Sequence, residues 1–398
     1  MINRRKRSAG GLRVWRWIAP PALVALAVLP WLLQAISGRA DAPVYSRDRA
    51  ERALVAAREA GASERAPRQL HDAERALDSA RLEFRRQQLR FYLRRDFGEA
   101  RRKFRAAEVA ARKTVKVARA GLSSARDSAR QSFARAECAV TRTDDLARTF
   151  SFRNGTLEAM QAARLHLAEA GLLLRYEDFD RARLLSDRAV GEARLARQRM
   201  ADEVGRFIDP GNLRRWEEDR KKTIRWSAKT SKPAVIVNKD EGAVALFVDG
   251  RLKEVYDAEI GVNQLARKLR AGDQATPEGA YKVTVRKARG QSKYYKALEL
   301  SYPNDEDRRR LDRLLEQRLL PPGTQPGSLI EIHGEGGKGR DWTDGCVALD
   351  NEAMDELFDR VAIGTPVTIV GGDGDGGRFS RLAKYLASSG VESECPAD

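Results

Sequence analysis

Two side chains stand out for the chemistry they could do together. His333 is the last histidine of the chain, and Cys346 follows thirteen residues later inside Thr343-Asp344-Gly345-Cys346. A cysteine attacks only as the thiolate, so it needs a base or a cation nearby. The other two histidines, His71 and His166, lie far upstream in helical sequence with no nucleophile beside them, so His333 is the natural base. A zinc site would need three or four ligands at set spacings. The region holds one histidine and no paired cysteines, so no metal and no cofactor is expected.

The residues around the pair supply the elements that must position it. The run at 328–332 alternates like a strand and would deliver His333 at its end, and Gly334, Gly336, Gly337 and Gly339 suggest a pliant loop bringing the chain back. Past Cys346 comes an apolar stretch at 347–349, then a helix pattern capped by Asp350 or Asn351. Upstream, strand-like runs occupy 234–237, 243–248, 251–256, 258–261 and 280–286, with Asp249-Gly250 reading as a hairpin turn. A charged helix is expected at 304–318, followed by a Pro/Gly loop at 321–327. The part is mostly β with short helices.

Two blocks in this part, the Ile-His-Gly/Thr-Asp-Gly-Cys pair and Thr276-Pro277-Glu278-Gly279, resemble the L,D-transpeptidase catalytic domain of bacterial cell walls, the YkuD type. Their order and separation carry more information than either alone. The resemblance extends over residues 233–371, roughly a third of the chain, and implies a compact β-sandwich. It implies a peptidoglycan L,D-transpeptidase in which Cys346, deprotonated by His333, forms a thioester with a stem peptide. Gly334 would orient the imidazole through its carbonyl, and backbone N–H groups of Gly345 and Cys346, supported by Thr343 and Asp344, would hold the oxyanion. Tyr294, Tyr295, Tyr302 and Trp342 are the expected substrate-lining residues, since aromatic and basic side chains suit a peptide bearing carboxylates.

The commoner family pattern is Ser/Thr-His-Gly-Cys, an apolar residue, then arginine. This chain has Asp344 where the second histidine falls and Ala348 where the arginine falls, as in a smaller branch with alanine. A carboxylate beside the thiol raises its pKa unless it points away or pairs with a cation such as Arg340. Two alternatives therefore stand beside transpeptidation: a cysteine hydrolase, acting as an L,D-carboxypeptidase or a wall-crosslink amidase or endopeptidase, and a non-catalytic wall-binding scaffold.

The rest of the chain is different in kind. A formal charge of +17 and a pI near 10.0 point to an anionic neighbourhood. Residues 1–16 carry a cluster of arginines, and the uncharged run at 17–36 is long enough to span hydrocarbon with the N-terminus in the cytoplasm. An inner-membrane anchor is expected, with the bulk in the periplasm or otherwise outside the membrane; the alternative is export with cleavage near Ala42. Such a location argues against nucleic acid as a partner. Cys138 and Cys395 are free to pair, although their spacing matches no disulfide framework, and Cys346 is expected to stay reduced.

Residues 46–230 have an Ala/Arg/Leu/Glu composition that reads as an all-α, coiled-coil-like region. Arg95-Asp96-Phe97-Gly98-Glu99-Ala100-Arg101 recurs as Glu177-Asp178-Phe179-Asp180-Arg181-Ala182-Arg183, suggesting two related helical hairpins packed through alanine seams. Their expected role is to space the catalytic domain from the membrane or to dock a protein partner. Residues 371–377 read as a linker and 372–398 as a flexible basic tail holding one short helix.

Overall fold

The computed structural model describes residues 41–91, 94–152, 154–388 and 395. The expected anchor at 17–36 and its basic flank at 1–16 lie outside the described residues. No described helix is long and apolar enough to cross a membrane.

By its internal contacts the chain divides into two units, residues 1–128 and 129–398. In the first, helices α1 (Val44–Glu59), α2 (Ala62–Arg65) and α3 (Pro67–Gln88) pack with the leading part of α4 (Gly98–Thr149). The buried apolar positions of α3 and its entry are Ala66, Leu70, Ala73, Leu77, Ala80 and Phe84, spaced alternately by four and three. That is a coiled-coil seam, and its alanines let helix axes approach to about 8 Å. Pro67 opens α3 at its first turn, where a missing N–H costs nothing.

The second unit repeats the device. Helices α5 (Asn154–Arg175) and α6 (Phe179–Val204) form a hairpin, and α6 buries Phe179, Ala182, Ser186, Ala189, Ala193, Ala196 and Met200 at the same spacing. The repeated Asp-Phe pairs do one job in both places. Asp96 accepts from the Gly98 N–H and Asp178 from the Arg181 N–H, each opening a helix, while Phe97 and Phe179 are buried beneath it.

Eight strands follow: β1 (Ala234–Asn238), β2 (Ala243–Val248), β3 (Arg251–Asp257), β4 (Gly279–Lys287), β5 (Ala297–Leu300), β6 (Glu331–His333), β7 (Val347–Ala348) and β8 (Pro366–Val370), in the order β3-β2-β1-β8-β4-β5-β6-β7. Only β1/β8 and β6/β7 are parallel. The sheet curls at β4, which belongs to both halves, and the bridges Glu259–Ala348 and Gly261–Thr343 tie the segment after β3 to the region of β7. Those bridges are all that forms where a strand was expected at 258–261. Asp249 and Gly250 both have positive φ, as the tight hairpin turn requires. Inside the curl lie Val235, Val237, Leu246, Val283, Leu298, Ile332, Val347 and Ile369, with Met354 and Leu357 of α9 (Asn351–Arg360). Asp350 is the cap of α9, accepting from the Ala353 N–H at 2.8 Å, and Asn304 caps α8 (Asp305–Glu316) with a reciprocal capping box.

Composition shifts near 232, but packing does not stop there. Helix α7 (Pro210–Thr230) lies on the outer face of β1 and β8, where Thr223 and Thr368 share a 2.6 Å hydroxyl hydrogen bond and Ile236 and Val370 join a core with Trp216. Strand β1 is consequently buried on both faces. The contact boundary falls at 128/129, within α4, instead of between helical and β sequence.

Through residue 388 the stretch expected as linker and tail carries packed structure. Most of 371–377 is packed, with Asp375 and Gly376 exposed: Gly371 lies directly on the indole of Trp216, where a Cβ would come within 2.2 Å of the ring. Helix α10 (Arg378–Ser388) buries Phe379, Leu382 and Ala383, and the Asp240 carboxylate caps it by accepting from the Phe379 and Ser380 N–H groups. Glycine here answers close approach, a cause that composition alone does not separate from flexibility. Cys138 and Cys395 form a disulfide, so the two thiols left open in the sequence pair with each other, while Cys346 is free.

Candidate active site

His333 is the final residue of β6, and β7 begins one residue after Cys346. The strands are parallel, with Ile332 beside Val347 and His333 beside Ala348. Side chains alternate between faces, so Glu331, His333, Cys346 and Ala348 share one face, with Cys346 diagonal to His333. The expected strand is three residues long and includes the histidine.

The imidazole is fully buried and strongly oriented. Its Nδ1 lies 2.7 Å from the Gly334 carbonyl oxygen, which can only accept, so Nδ1 carries the proton and Nε2 the lone pair. Nε2 has no hydrogen-bond partner among the described residues. The Tyr294 ring stacks on the imidazole at 3.7 Å between centroids with an 8° tilt, and Trp342 stands edge-on to both. Replacing Tyr294 by alanine should lower acyl-transfer kcat about two- to tenfold with little change in KM. About 0.5–1.5 kcal/mol of ring-stacking orientation is lost while the bond to Gly334 remains. Steady-state kinetics checks the split.

The thiol sits on a turn built by hydroxyls. Thr343 Oγ1 donates to the Cys346 carbonyl at 2.7 Å and accepts from the Gly345 N–H at 3.2 Å, and Thr276 Oγ1 donates to the same carbonyl at 3.4 Å. Gly345 has φ +122°, and a Cβ there would come within 2.7 Å of the Ala275 carbonyl oxygen, so glycine is obligatory before the cysteine. Cys346 Sγ donates to the Leu329 carbonyl at 3.6 Å and is not bonded to Nε2 in this structure. Catalytic hydrogen bonds of this kind commonly form only once substrate is bound. Of the two expected oxyanion donors, the Gly345 N–H is taken by Thr343.

The carboxylate expected to trouble the thiol is well managed. Asp344 is exposed and accepts from the Gln274 side-chain amide at 3.0 Å, not from Arg340. The carboxylate that acts more strongly on the thiol is Glu331, which Lys287 contacts at 2.6 Å. Burial pushes the thiol up to about 11; the backbone beside Glu331 opposes this, and the Glu331 and Asp344 charges add to it. Burial lowers the His333 pKa from its ordinary value of 6.5, against the pull of the Gly334 carbonyl and of Glu331 and Glu335. At pH 7–8 the pair therefore rests as neutral thiol and neutral imidazole, which suits general-base catalysis and not a preformed ion pair. Alkylation of Cys346 by iodoacetamide should keep accelerating with pH up to about 11, whereas turnover should hold down to pH 6.5 and fall only below it, as the imidazole protonates.

The expected aromatic lining divides. Tyr294 and Trp342 are at the pair; Trp342 Nε1 also donates to Glu259, which accepts from the Gly339 N–H as well and so staples the glycine loop. Tyr295 points its hydroxyl to Asp355. Tyr302 is a core residue, packed against Tyr281 and donating to the Pro326 carbonyl, so it does not line the site. Ala348 is buried in β7, and an exposed cation at the site is Lys338, whose Nζ lies 3.2 Å from the Trp342 ring centroid. Sequence reading passed over Glu259, Gln274 and Glu331, whose roles depend on strand register; for Thr276 the Thr-Pro-x-Gly block was itself the signal.

A free cysteine and an oriented imidazole thus share one face of a curled β-sheet. The family model for the L,D-transpeptidase catalytic domain, YkuD, matches residues 232–369, and this part of the chain is a domain of that family. The chain is 29% identical over 143 residues to "Putative L,D-transpeptidase YqjB" of Bacillus subtilis (strain 168), covering 34% of this chain and 70% of that protein. It is 32% identical over 94 residues to "Putative L,D-transpeptidase YafK" of Escherichia coli (strain K12), covering 24% of this chain and 31% of the relative. Among solved structures, Bdellovibrio bacteriovorus Bd1075 is similar at 23% identity and a TM-score of 0.27, over 40% of this chain and 56% of that one. At that TM-score the likeness carries no functional argument.

Proposed function

We propose that the protein is a peptidoglycan L,D-transpeptidase of the cell envelope, acting on stem peptides through a Cys346 thioester. The observation that carries this reading is the pairing of the single free cysteine with an imidazole whose Nδ1 is fixed on Gly334 and whose Nε2 is left open. In the first step Sγ attacks the carbonyl that follows an L-centre. The C–S bond forms, the thiol proton passes to Nε2, and the amide C–N bond breaks as Nε2 protonates the departing D-amino acid. In the second step an acceptor amine attacks the thioester, a C–N bond replaces the C–S bond, and the amine's proton returns through Nε2 to sulfur.

The Cys346 N–H is the first donor for the oxyanion, with Gly345 joining as its bond to Thr343 lengthens. With Ala348 in the arginine position, Lys338 over Trp342 offers the cation for a substrate carboxylate. The Cys138–Cys395 disulfide supports an oxidising compartment, in keeping with export. Attachment through residues 17–36 and a protein partner for the helices belong to the same reading.

Product analysis with a disaccharide tetrapeptide tests it. Crosslinked dimer from wild type and none from Cys346→Ala is the expected result. Shortened monomer alone would replace transpeptidation by hydrolysis, and no product of either kind would leave the wall-binding scaffold.

A further inference from the structure

Beneath the Thr-Pro-Glu-Gly turn lies a buried charge cluster that reaches outside the matched domain. Glu278 is almost wholly buried; its Oε1 accepts from Lys239 Nζ at 3.0 Å and from Arg206 Nη1 at 2.9 Å, and its Oε2 accepts from Arg206 Nη2 at 2.5 Å. Lys239 Nζ is fully buried and uses its remaining donors on the carbonyls of Ala266, at 2.9 Å, and Thr276, at 3.1 Å. Arg206 also donates to the Leu265 carbonyl and lies over the rings of Phe207 and Trp216. Both cations thus grip the segment at 265–278 through its backbone.

That segment backs the nucleophile. Thr276, held by Lys239 through its carbonyl, uses its hydroxyl to accept from the Gly261 N–H at 2.9 Å and to donate to the Cys346 carbonyl. The Gln274 and Ala275 carbonyls press on Gly261 and Gly345 so closely that a Cβ on either glycine would clash. We infer that Arg206, contributed by the helical part of the chain, is a positioning residue for Cys346, acting through Glu278, Lys239 and Thr276. The inference rests on the reading of Cys346 as the nucleophile. It assigns the sequence before 232 an indirect part in the site, since Arg206 supplies two of the three hydrogen bonds on the carboxylate and a planar fork that lysine cannot reproduce.

The test uses the full chain and two readouts, one of which needs no substrate: the pH dependence of Cys346 alkylation by iodoacetamide, and kcat for acyl transfer. In Arg206→Met, folded by circular dichroism, a loosened turn should admit water to the thiol and move its alkylation midpoint down from about 11. Each unit of that fall raises the thiolate at pH 8 about tenfold, while kcat falls about tenfold because the nucleophile is less well aimed. Arg206→Lys should recover part of both. A merely structural role would lower the melting temperature and leave the alkylation profile of the folded enzyme unchanged, and that result overturns the inference. If Arg206→Met does not fold, Arg206→Lys carries the test at smaller amplitude, and a wild-type profile there is equally contrary. A shifted alkylation profile in a protein that transfers no acyl group would sink the proposed activity and leave the positioning intact.

Discussion

Replacing His333 by glutamine should lower acyl transfer by about 10²–10⁴-fold, the range for removing a positioned general base. The argument runs through the resting protonation states. Cys346 is held up at about 11 by burial, so at neutral pH almost none of it is thiolate, and the unpartnered Nε2 on the same sheet face is the base the proposal assigns to its proton. Glutamine can still hydrogen-bond the Gly334 carbonyl but cannot take a proton, so binding should survive and KM should change little. Direct alkylation at pH 11 should also survive, because there the solvent removes the proton. Kinetics of a folded His333→Gln protein within a few-fold of wild type would mean that another group is the base.

Glu278→Gln should destabilise the second unit by about 3–5 kcal/mol, the usual cost of stranding a buried charge. The variant leaves Lys239, fully buried, and Arg206, largely so, with no counter-charge. Burial alone would push the Glu278 carboxyl up, but Lys239 and Arg206 outweigh it and hold it well below the ordinary range. A depressed folded value contributes stability that is fully present above the unfolded value and is lost as pH falls through the folded one. The difference between wild type and variant should therefore be flat from pH 6 to 8 and shrink progressively below about pH 4. Urea unfolding followed at each pH reads this out, and a penalty under 1 kcal/mol would show that the cluster is looser than its distances suggest.

The sequence carried the site's chemistry further than its surroundings. His333 and Cys346 stood out because their residue types are rare in the chain and fall in a strand–loop–turn pattern, and a cap at Asp350 or Asn351 was legible because the hydrogen bond, which Asp350 accepts, is local. Tyr302 was misread as lining because an aromatic near a catalytic strand looks alike whether it faces the core or the groove; only the sheet's curl decides. The glycines at 371–377 read as a linker because composition records a missing Cβ and not the neighbour that requires its absence, the Trp216 ring at Gly371 and Asp240 at Gly372 and Gly377. The Arg206–Glu278–Lys239 cluster joins residues 39 and 72 positions apart, and although Glu278 falls in the Thr-Pro-Glu-Gly block, nothing local marks its two cationic partners. Helix periodicity in the alanine seams was visible in the composition, whereas the boundary at 128/129, inside one continuous helix, leaves no compositional trace.

The measurement closest to the central claim is the intact mass of the full-length protein quenched in acid during turnover of a disaccharide tetrapeptide. Wild type should carry a labile adduct equal to the substrate less its terminal D-amino acid, mapped to Cys346 and absent from Cys346→Ala. An unmodified Cys346 in a folded protein that is consuming the substrate would contradict the thioester route.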